Sequence, residues 1–266
     1  FAMSCATTIY TNLDTVMLGF IKTDIDVGYY NAAVKIKGVL LGIVTSLGTV
    51  LLPRASYYIE HHEMEEFRRI TKKAINFVFL IAVPLTCYFI LYAKEGILFL
   101  SGNEYMSAVL PMQIIMPVVV LTGAAQVCIM QALIPLKEDK AVLLASVIGA
   151  ATAVLFNIIF VDKLGAIGSA LVLLCSEICS DIFAFGYAIK KKILTLPWRF
   201  IVKRIISSIP YIAICYTAGK CLNLNNIATL LIALLICGFY FGVEGLFVLK
   251  LPIVRDFFAE IKKQIR

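Results

Sequence analysis

Long apolar runs separated by short charged connections divide the chain into eight candidate membrane spans, at 1–21, 28–52, 74–93, 108–134, 141–161, 166–189, 205–219 and 227–249. A transmembrane helix needs about 20 mostly apolar residues, and these runs match that length. The seventh is short and can borrow from Phe200–Ile206 or Lys220–Leu224. Strands of a membrane barrel would instead alternate apolar and polar residues over about ten positions. The pattern predicts an all-α, polytopic transmembrane helix bundle.

The positive charges agree with that division. The connections after spans one, three, five and seven carry one cation each: Lys22, Lys94, Lys163 and Lys220. The other connections and the tail carry five (Arg54, Arg68, Arg69, Lys72, Lys73), two (Lys137, Lys140), six (Lys190, Lys191, Lys192, Arg199, Lys203, Arg204) and five (Lys250, Arg255, Lys262, Lys263, Arg266). The 18 against 4 alternate at every crossing, so the positive-inside bias predicts both observed termini on the cytoplasmic side.

Composition supports the same class. Hydrophobic residues make up 61% of the 266 positions and charged residues 15%. Soluble domains run at roughly 45–50% and 25%, and a soluble fold has too little interior for so much apolar surface. The net charge of +7 is accounted for by the basic connections, with no call for a nucleic-acid partner. Eight cysteines lie scattered in apolar runs without a CxxC pair and read as small packing residues. The chain opens at Phe1 inside an apolar stretch, without a charged signal-peptide region, and is expected to be the later part of a longer protein.

The polar connections have their own character. Arg54–Lys73 holds Ile59, Met64, Phe67 and Ile70 near helical spacing and is expected to lie as a surface helix under the membrane. His61 and His62 within it are expected to be solvated. Ile193–Arg204 sets Trp198 and Phe200 among cations, as an interfacial linker does. No phosphate-cradling GxxxxGK[ST] loop, HExxH or GxSxG motif is present, so neither an ATP motor nor an enzyme is expected.

Charge at bilayer depth costs a few kcal/mol or more, so it marks candidate functional sites. Asp14, Lys35, Lys37, Glu177, Asp181 and Glu244 fall inside the spans. Asp14 lies seven residues before the outer end of span one, and Lys35 seven residues after the outer start of span two. Both therefore sit roughly 10 Å below the surface, where antiparallel neighbours would pair them. Lys35 and Lys37 point about 200° apart on a helix, so one is expected to face a cavity while the other snorkels. Glu177 and Asp181, four residues apart, share one helical face that suits a cavity wall, a proton relay or a cation site. Glu244, near the cytoplasmic end of span eight, is expected to reach water. Asn12, Gln126, Gln131 and Asn157 can hydrogen-bond across helices, while Pro84, Pro111 and Pro117 permit bends.

Two stretches resemble one family. The first is Asp14-Thr-Val-Met-Leu-Gly19 followed by Val27-Gly28-Tyr29-Tyr30-Asn31-Ala32-Ala33-Val34-Lys35-Ile36. The second is Asn157, then Gly165-Ala-Ile-Gly168-Ser-Ala, ending in Ser176-Glu177. Pro53 and Leu98-Phe99-Leu100-Ser101-Gly102-Asn103-Glu104-Tyr105 fit the same pattern. They are similar to the polysaccharide transporter (Wzx-type flippase) branch of the multidrug/oligosaccharidyl-lipid/polysaccharide exporter superfamily. The resemblance covers most of residues 8–190.

It implies the second six-helix lobe of a two-lobe flippase at 1–189, an amphipathic cytoplasmic linker at 190–204, two added helices at 205–249 and a basic tail at 250–266. A first lobe would belong to the missing N-terminal part. The implied cargo is a polyprenyl-pyrophosphate-linked oligosaccharide for surface polysaccharide synthesis (O-antigen, capsule or exopolysaccharide), carried across the bacterial inner membrane by alternating access coupled to Na⁺ or H⁺. No other cofactor is implied. A polysaccharide polymerase is a possible partner, with membrane lipid around the bundle. Lys35, for the pyrophosphate so implied, and Lys37, Glu177 and Asp181, as charge at bilayer depth, are the substrate-binding candidates; by the same resemblance Asp14 and Asn157 are the cation-coupling ones, with Glu177 as a further proton carrier. The carboxylate that related flippases place one turn beyond the Asn is absent: position 161 is Val, and Asp162 follows it. Alternatives are a cation-coupled multidrug antiporter of the same superfamily and a lipid II flippase. A membrane-embedded polymerase or ligase would need a larger external loop than Lys94–Ser107.

Overall fold

A computed structural model describes residues 2–221 and 226–247. Its helices are α1 (Ala2–Ile21), α2 (Asp24–Glu60), α3 (Met64–Leu91), α4 (Ala93–Ser101), α5 (Val109–Gln126), α6 (Asp139–Leu164), α7 (Ala166–Lys190), α8 (Trp198–Cys221) and α9 (Asn226–Phe247). A 3₁₀ turn, Asn103–Ala108, joins α4 to α5, and a π-helical stretch, Val127–Leu133, continues α5. The core of each of the eight expected spans lies within one of these helices or, for the fourth, within α5 and its π continuation. Five described segments are long and apolar enough to cross a bilayer: Asp24–Ser46, Met64–Leu91, Asn103–Leu133, Asp139–Leu164 and Ala166–Lys190. Shorter apolar stretches, Asn12–Ile21 and Ala228–Glu244, come from α1 and α9. The outer surface carries large apolar side chains such as Phe20, Ile158, Ile182 and Phe239, in keeping with a surface that meets hydrocarbon.

Six helices, α1–α3 and α5–α7, enclose the main core, where Phe67, Ile75, Met112, Ile115, Met116 and Leu133 are fully buried. A second, aromatic cluster joins α8 and α9 to α3 and its junction with α4, through Tyr88, Tyr92, Tyr211 and Phe241. The last two helices thus form a pair docked on the flank of the lobe.

Three local features differ from the sequence expectation. Residues 54–73 are not a separate surface helix. They form the end of α2, a turn at His61–Glu63 with His62 at φ 59°, and the start of α3. The apolar stripe is real, but Phe67 is buried in the core and Ile59 and Met64 pack against it. With 37 residues, α2 is about 55 Å long at 1.5 Å per residue, well beyond a hydrocarbon core of about 30 Å. The fourth span is regular only to Gln126 before it widens into the π stretch. The linker is shorter than expected, since α8 already begins at Trp198. The tail 250–266 and the side chain of Lys220 lie outside the described residues.

The turn between α6 and α7 explains the glycines of the second motif. Gly165 has φ 54°, a left-handed backbone that side chains disfavour, and a Cβ there would lie 2.8 Å from Asp26 Oδ1. A Cβ on Gly168 would lie 2.6 Å from the Phe160 carbonyl oxygen, so the two helices meet backbone to backbone. Replacing Gly168 with Val forces these helices apart and is expected to cost about 1–3 kcal/mol or more. Gly186, with open space around it, takes Ala without loss. Thermal unfolding of the two variants in detergent checks this contrast; equal melting temperatures would refute it.

Candidate functional site

The candidate site is built where α1, α2, α6 and α7 meet. Asp14 on α1 is 3% exposed and Asn157 on α6 is fully buried. The Asn157 amide nitrogen donates to Asp14 Oδ1 at 2.9 Å and to the Ala153 carbonyl at 2.8 Å. Its Oδ1 has no hydrogen-bond partner among the described residues. Tyr30 on α2 completes the enclosure with a hydrogen bond to Asp14. A carboxylate at this depth needs such partners or a counter-charge.

The counter-charge comes from Lys37, which lies within electrostatic reach of both Asp14 and Glu177. Asp14 and Lys35 were expected to pair at one depth, and they do not. Lys35, two residues earlier on α2, is exposed in a cleft of about 660 Å³ lined by Gly28, Asn31, Ser101, Tyr105 and Phe89. The helical offset decides this: when Lys37 faces the carboxylates, Lys35 must face elsewhere. Tyr105, from the 3₁₀ turn, packs edge-on against Tyr29 at 5.8 Å and closes one side of the cleft.

Glu177 and Asp181 continue the polar line along α7. Both are buried, and Asp181 acts electrostatically on Cys128 of the π stretch. Asp181 Oδ2 has no hydrogen-bond partner among the described residues and borders an apolar cavity of about 410 Å³ that includes Phe79, Phe185 and Trp198. A track of Asn157, Asp14, Lys37, Glu177 and Asp181 therefore runs through the lobe, with unfilled acceptor oxygens at both ends. Chemically it can hold a proton or a small cation at Asp14 and pass charge toward Asp181. Asp162 does not join it: that carboxylate is exposed and lies 3.7 Å from Lys22. Val161, one turn beyond Asn157, is buried. No group of three His, Cys, Asp or Glu side chains arranged for a metal ion occurs among the described residues.

A second polar cluster was missed by sequence reasoning. Glu244 does not reach water but is buried on α9 and paired with Arg204 of α8, itself fully buried rather than interfacial. Arg204 also donates to the Leu80 carbonyl at 2.8 Å and lies over the Phe241 ring at 4.5 Å. Ser207 donates to Glu244, and the Tyr240 hydroxyl donates to the Ser207 carbonyl at 2.7 Å. The signal available in the sequence was one cation and one carboxylate near the same end of consecutive spans. Replacing Arg204 with Met strands a buried carboxylate and is expected to cost about 3–5 kcal/mol, whereas Arg204→Met with Glu244→Leu recovers most of it. Melting temperatures of the single and double variants test this; a double variant no better than the single would refute it.

At the basic end, Glu138 in the α5–α6 connection accepts from Lys191 at 2.6 Å and from the Tyr187 hydroxyl at 2.7 Å. The Lys191 bond chiefly holds the Glu138 carboxyl below its ordinary value of 4.5, and the same bond raises Lys191 above 10.5. The depressed carboxyl contributes stability present above pH 4.5 and lost as pH falls through its folded value. The raised lysine contributes below pH 10.5 and loses this as pH rises. Glu138→Gln is therefore expected to remove a small, salt-screened contribution only between those limits, seen as melting curves that converge with wild type in acid. Curves offset equally at every pH would exclude this role.

Comparison with known proteins adds three findings. Residues 1–110 match the family described as polysaccharide biosynthesis protein. The probable flippase AglR of Haloferax volcanii is 27% identical over 190 residues, which are 71% of this chain and 40% of that protein. The structure of the lipid II flippase MurJ in its inward closed conformation superposes with a TM-score of 0.80 at 18% identity, over 92% of this chain and 52% of that one. The chain thus spans about half, or less, of the length of the proteins it matches. The shared fold and the five long apolar segments make this a multi-pass membrane protein, similar over its first helices to that family and over most of its length to that probable flippase.

Proposed function

We propose that the protein moves a polyprenyl-pyrophosphate-linked oligosaccharide from the cytoplasmic to the outer leaflet of a bacterial inner membrane by alternating access. Residues 1–189 act as one lobe and 205–249 as its added helix pair, and a preceding lobe of the same protein faces them across the substrate path. The observation that carries this reading is the division of labour on α2. Lys35 opens into a wide cleft, while Lys37, on the opposite face of the same helix, engages Asp14 and Glu177. Lys35 offers a diphosphate its charge at the cleft, as a lysine does without needing a fixed fork geometry. A proton or Na⁺ taken up at Asp14, with Asn157 Oδ1 as a second acceptor, weakens the hold on Lys37 and so acts on the helix that carries Lys35. Glu177 and Asp181 relay charge toward the basic end, which the positive-inside bias places in the cytoplasm.

Ion movement at Asp14 supplies the drive for the cycle. The polysaccharide polymerase that consumes the flipped unit is the natural partner. Lys35→Ala in the full-length protein is expected to abolish surface polysaccharide while protein level stays normal, with lipid-linked sugar accumulating in the cytoplasmic leaflet. Full surface polysaccharide in that variant would remove Lys35 from the mechanism. Unchanged polysaccharide with altered dye efflux on gene deletion would replace the flippase reading by an antiporter.

A further inference from the structure

At the basic end, where α2, α3 and the end of α5 part, two cavities share Phe77 as a common wall. The outer one, about 370 Å³, is lined by Arg54, Arg69 and Lys73, with Tyr58 and Glu66. Glu66 is bonded to Arg69 at 2.6 Å, whereas Arg54 and Lys73 form no salt bridge among the described residues. The inner cavity, about 180 Å³, has Val44, Leu52, Val78, Val127 and Met130 as apolar walls, and only Thr45, Gln126 and Gln131 bring polar atoms.

Two glycines set how closely its walls approach. Gly48 and Gly123 line it, and a Cβ on Gly123 would lie 2.8 Å from Val44 and 3.1 Å from Val78. One wall is the π-helical stretch that begins at Val127, a geometry that is rare and recurs at functional sites. A cationic cavity set against an apolar slot, with Phe77 lining both, suits a ligand with an anionic head and a hydrocarbon tail. A nucleotide or an acidic peptide would satisfy the cationic cavity and leave the slot empty.

We propose that this slot and the cationic cavity bind an anionic phospholipid of the leaflet at the basic end. Its phosphate rests on Arg54 and Lys73, and part of one acyl chain lies between α2, α3 and the π-helical stretch. Arg69, already neutralised by Glu66, lends a hydrogen bond rather than net charge. The inference needs the chain to lie in a bilayer and is independent of the cargo proposed above.

The test uses the full-length protein purified in detergent. Retained lipid is counted by native mass spectrometry during titration with phosphatidylglycerol or phosphatidylcholine. Wild type is expected to retain one phosphatidylglycerol about tenfold more tightly than phosphatidylcholine. Arg54→Ala with Lys73→Ala is expected to lose that tenfold, a change of roughly 1.4 kcal/mol. Thr45→Phe, which fills the slot away from the cations, is expected to lose the lipid too while inorganic pyrophosphate binds as in wild type. Met130→Trp fills the slot from the other wall and replaces Thr45→Phe if that variant fails to melt cooperatively. Equal retention of both lipids, or no effect of the alanine pair, would overturn the proposal. So would lipid retained with the slot filled, or displaced by equimolar pyrophosphate, since either makes the cationic cavity a site for free anions. Lys35→Ala should leave lipid retention untouched, which separates this outcome from the fate of the flippase reading.

Discussion

A carboxylate held away from water has to be answered by its neighbours, and Asp14 sets that demand at the centre of the lobe. Asn157 answers from α6, Tyr30 and Lys37 from α2, and Lys37 then draws in Glu177 on α7. Four helices are thereby fixed in rotation about their own axes, because each must turn one polar group inward. The apolar packing around them is far less particular: Leu, Val and Ile can slide on lipid or on one another at little cost. The close approach of α6 and α7 at Gly168 supplies the remaining constraint, bringing Asn157 and Glu177 to bear on the same space.

The bundle was legible in the sequence because an apolar run of about 20 residues is a strong signal that no neighbour can disguise. The alternation of basic connections reinforced it. The resemblance pointed to Asp14 and Asn157, and the structure brings those two side chains into direct contact. Other features depend on which neighbour wins a given face. Lys35 and Lys37 are equivalent by composition, and only the position of α7 decides which one turns inward. The stretch 54–73 has a genuine amphipathic stripe, but such a stripe does not say whether it will meet lipid or another helix. The π-helical stretch leaves no mark that periodicity can detect.

The two polar systems differ in kind. Around Arg204 and Glu244 the two charges are met by Leu80, Ser207 and each other, with Phe241 beneath the guanidinium, while Arg204 Nε has no hydrogen-bond partner among the described residues. That arrangement matches one charge to one and holds α8 and α9 to α3. Around Asp14 the bonding is incomplete, with Asn157 Oδ1 and Asp181 Oδ2 unused. The charge-matched cluster fits a structural clamp; around Asp14 three carboxylates share one lysine, so charge there is left unmatched.

The clamp also bears on how the chain enters the membrane. Arg204 leaves the ribosome 40 residues ahead of Glu244, an interval of about 2–8 s at ordinary rates of synthesis. During that time α8 has its cation and no carboxylate to meet it. A lone arginine at the end of a helix can extend to the headgroups and wait there, so the interfacial position its sequence suggests describes the nascent chain. Arrival of α9 then draws the guanidinium inward and locks α8 and α9 to the lobe together.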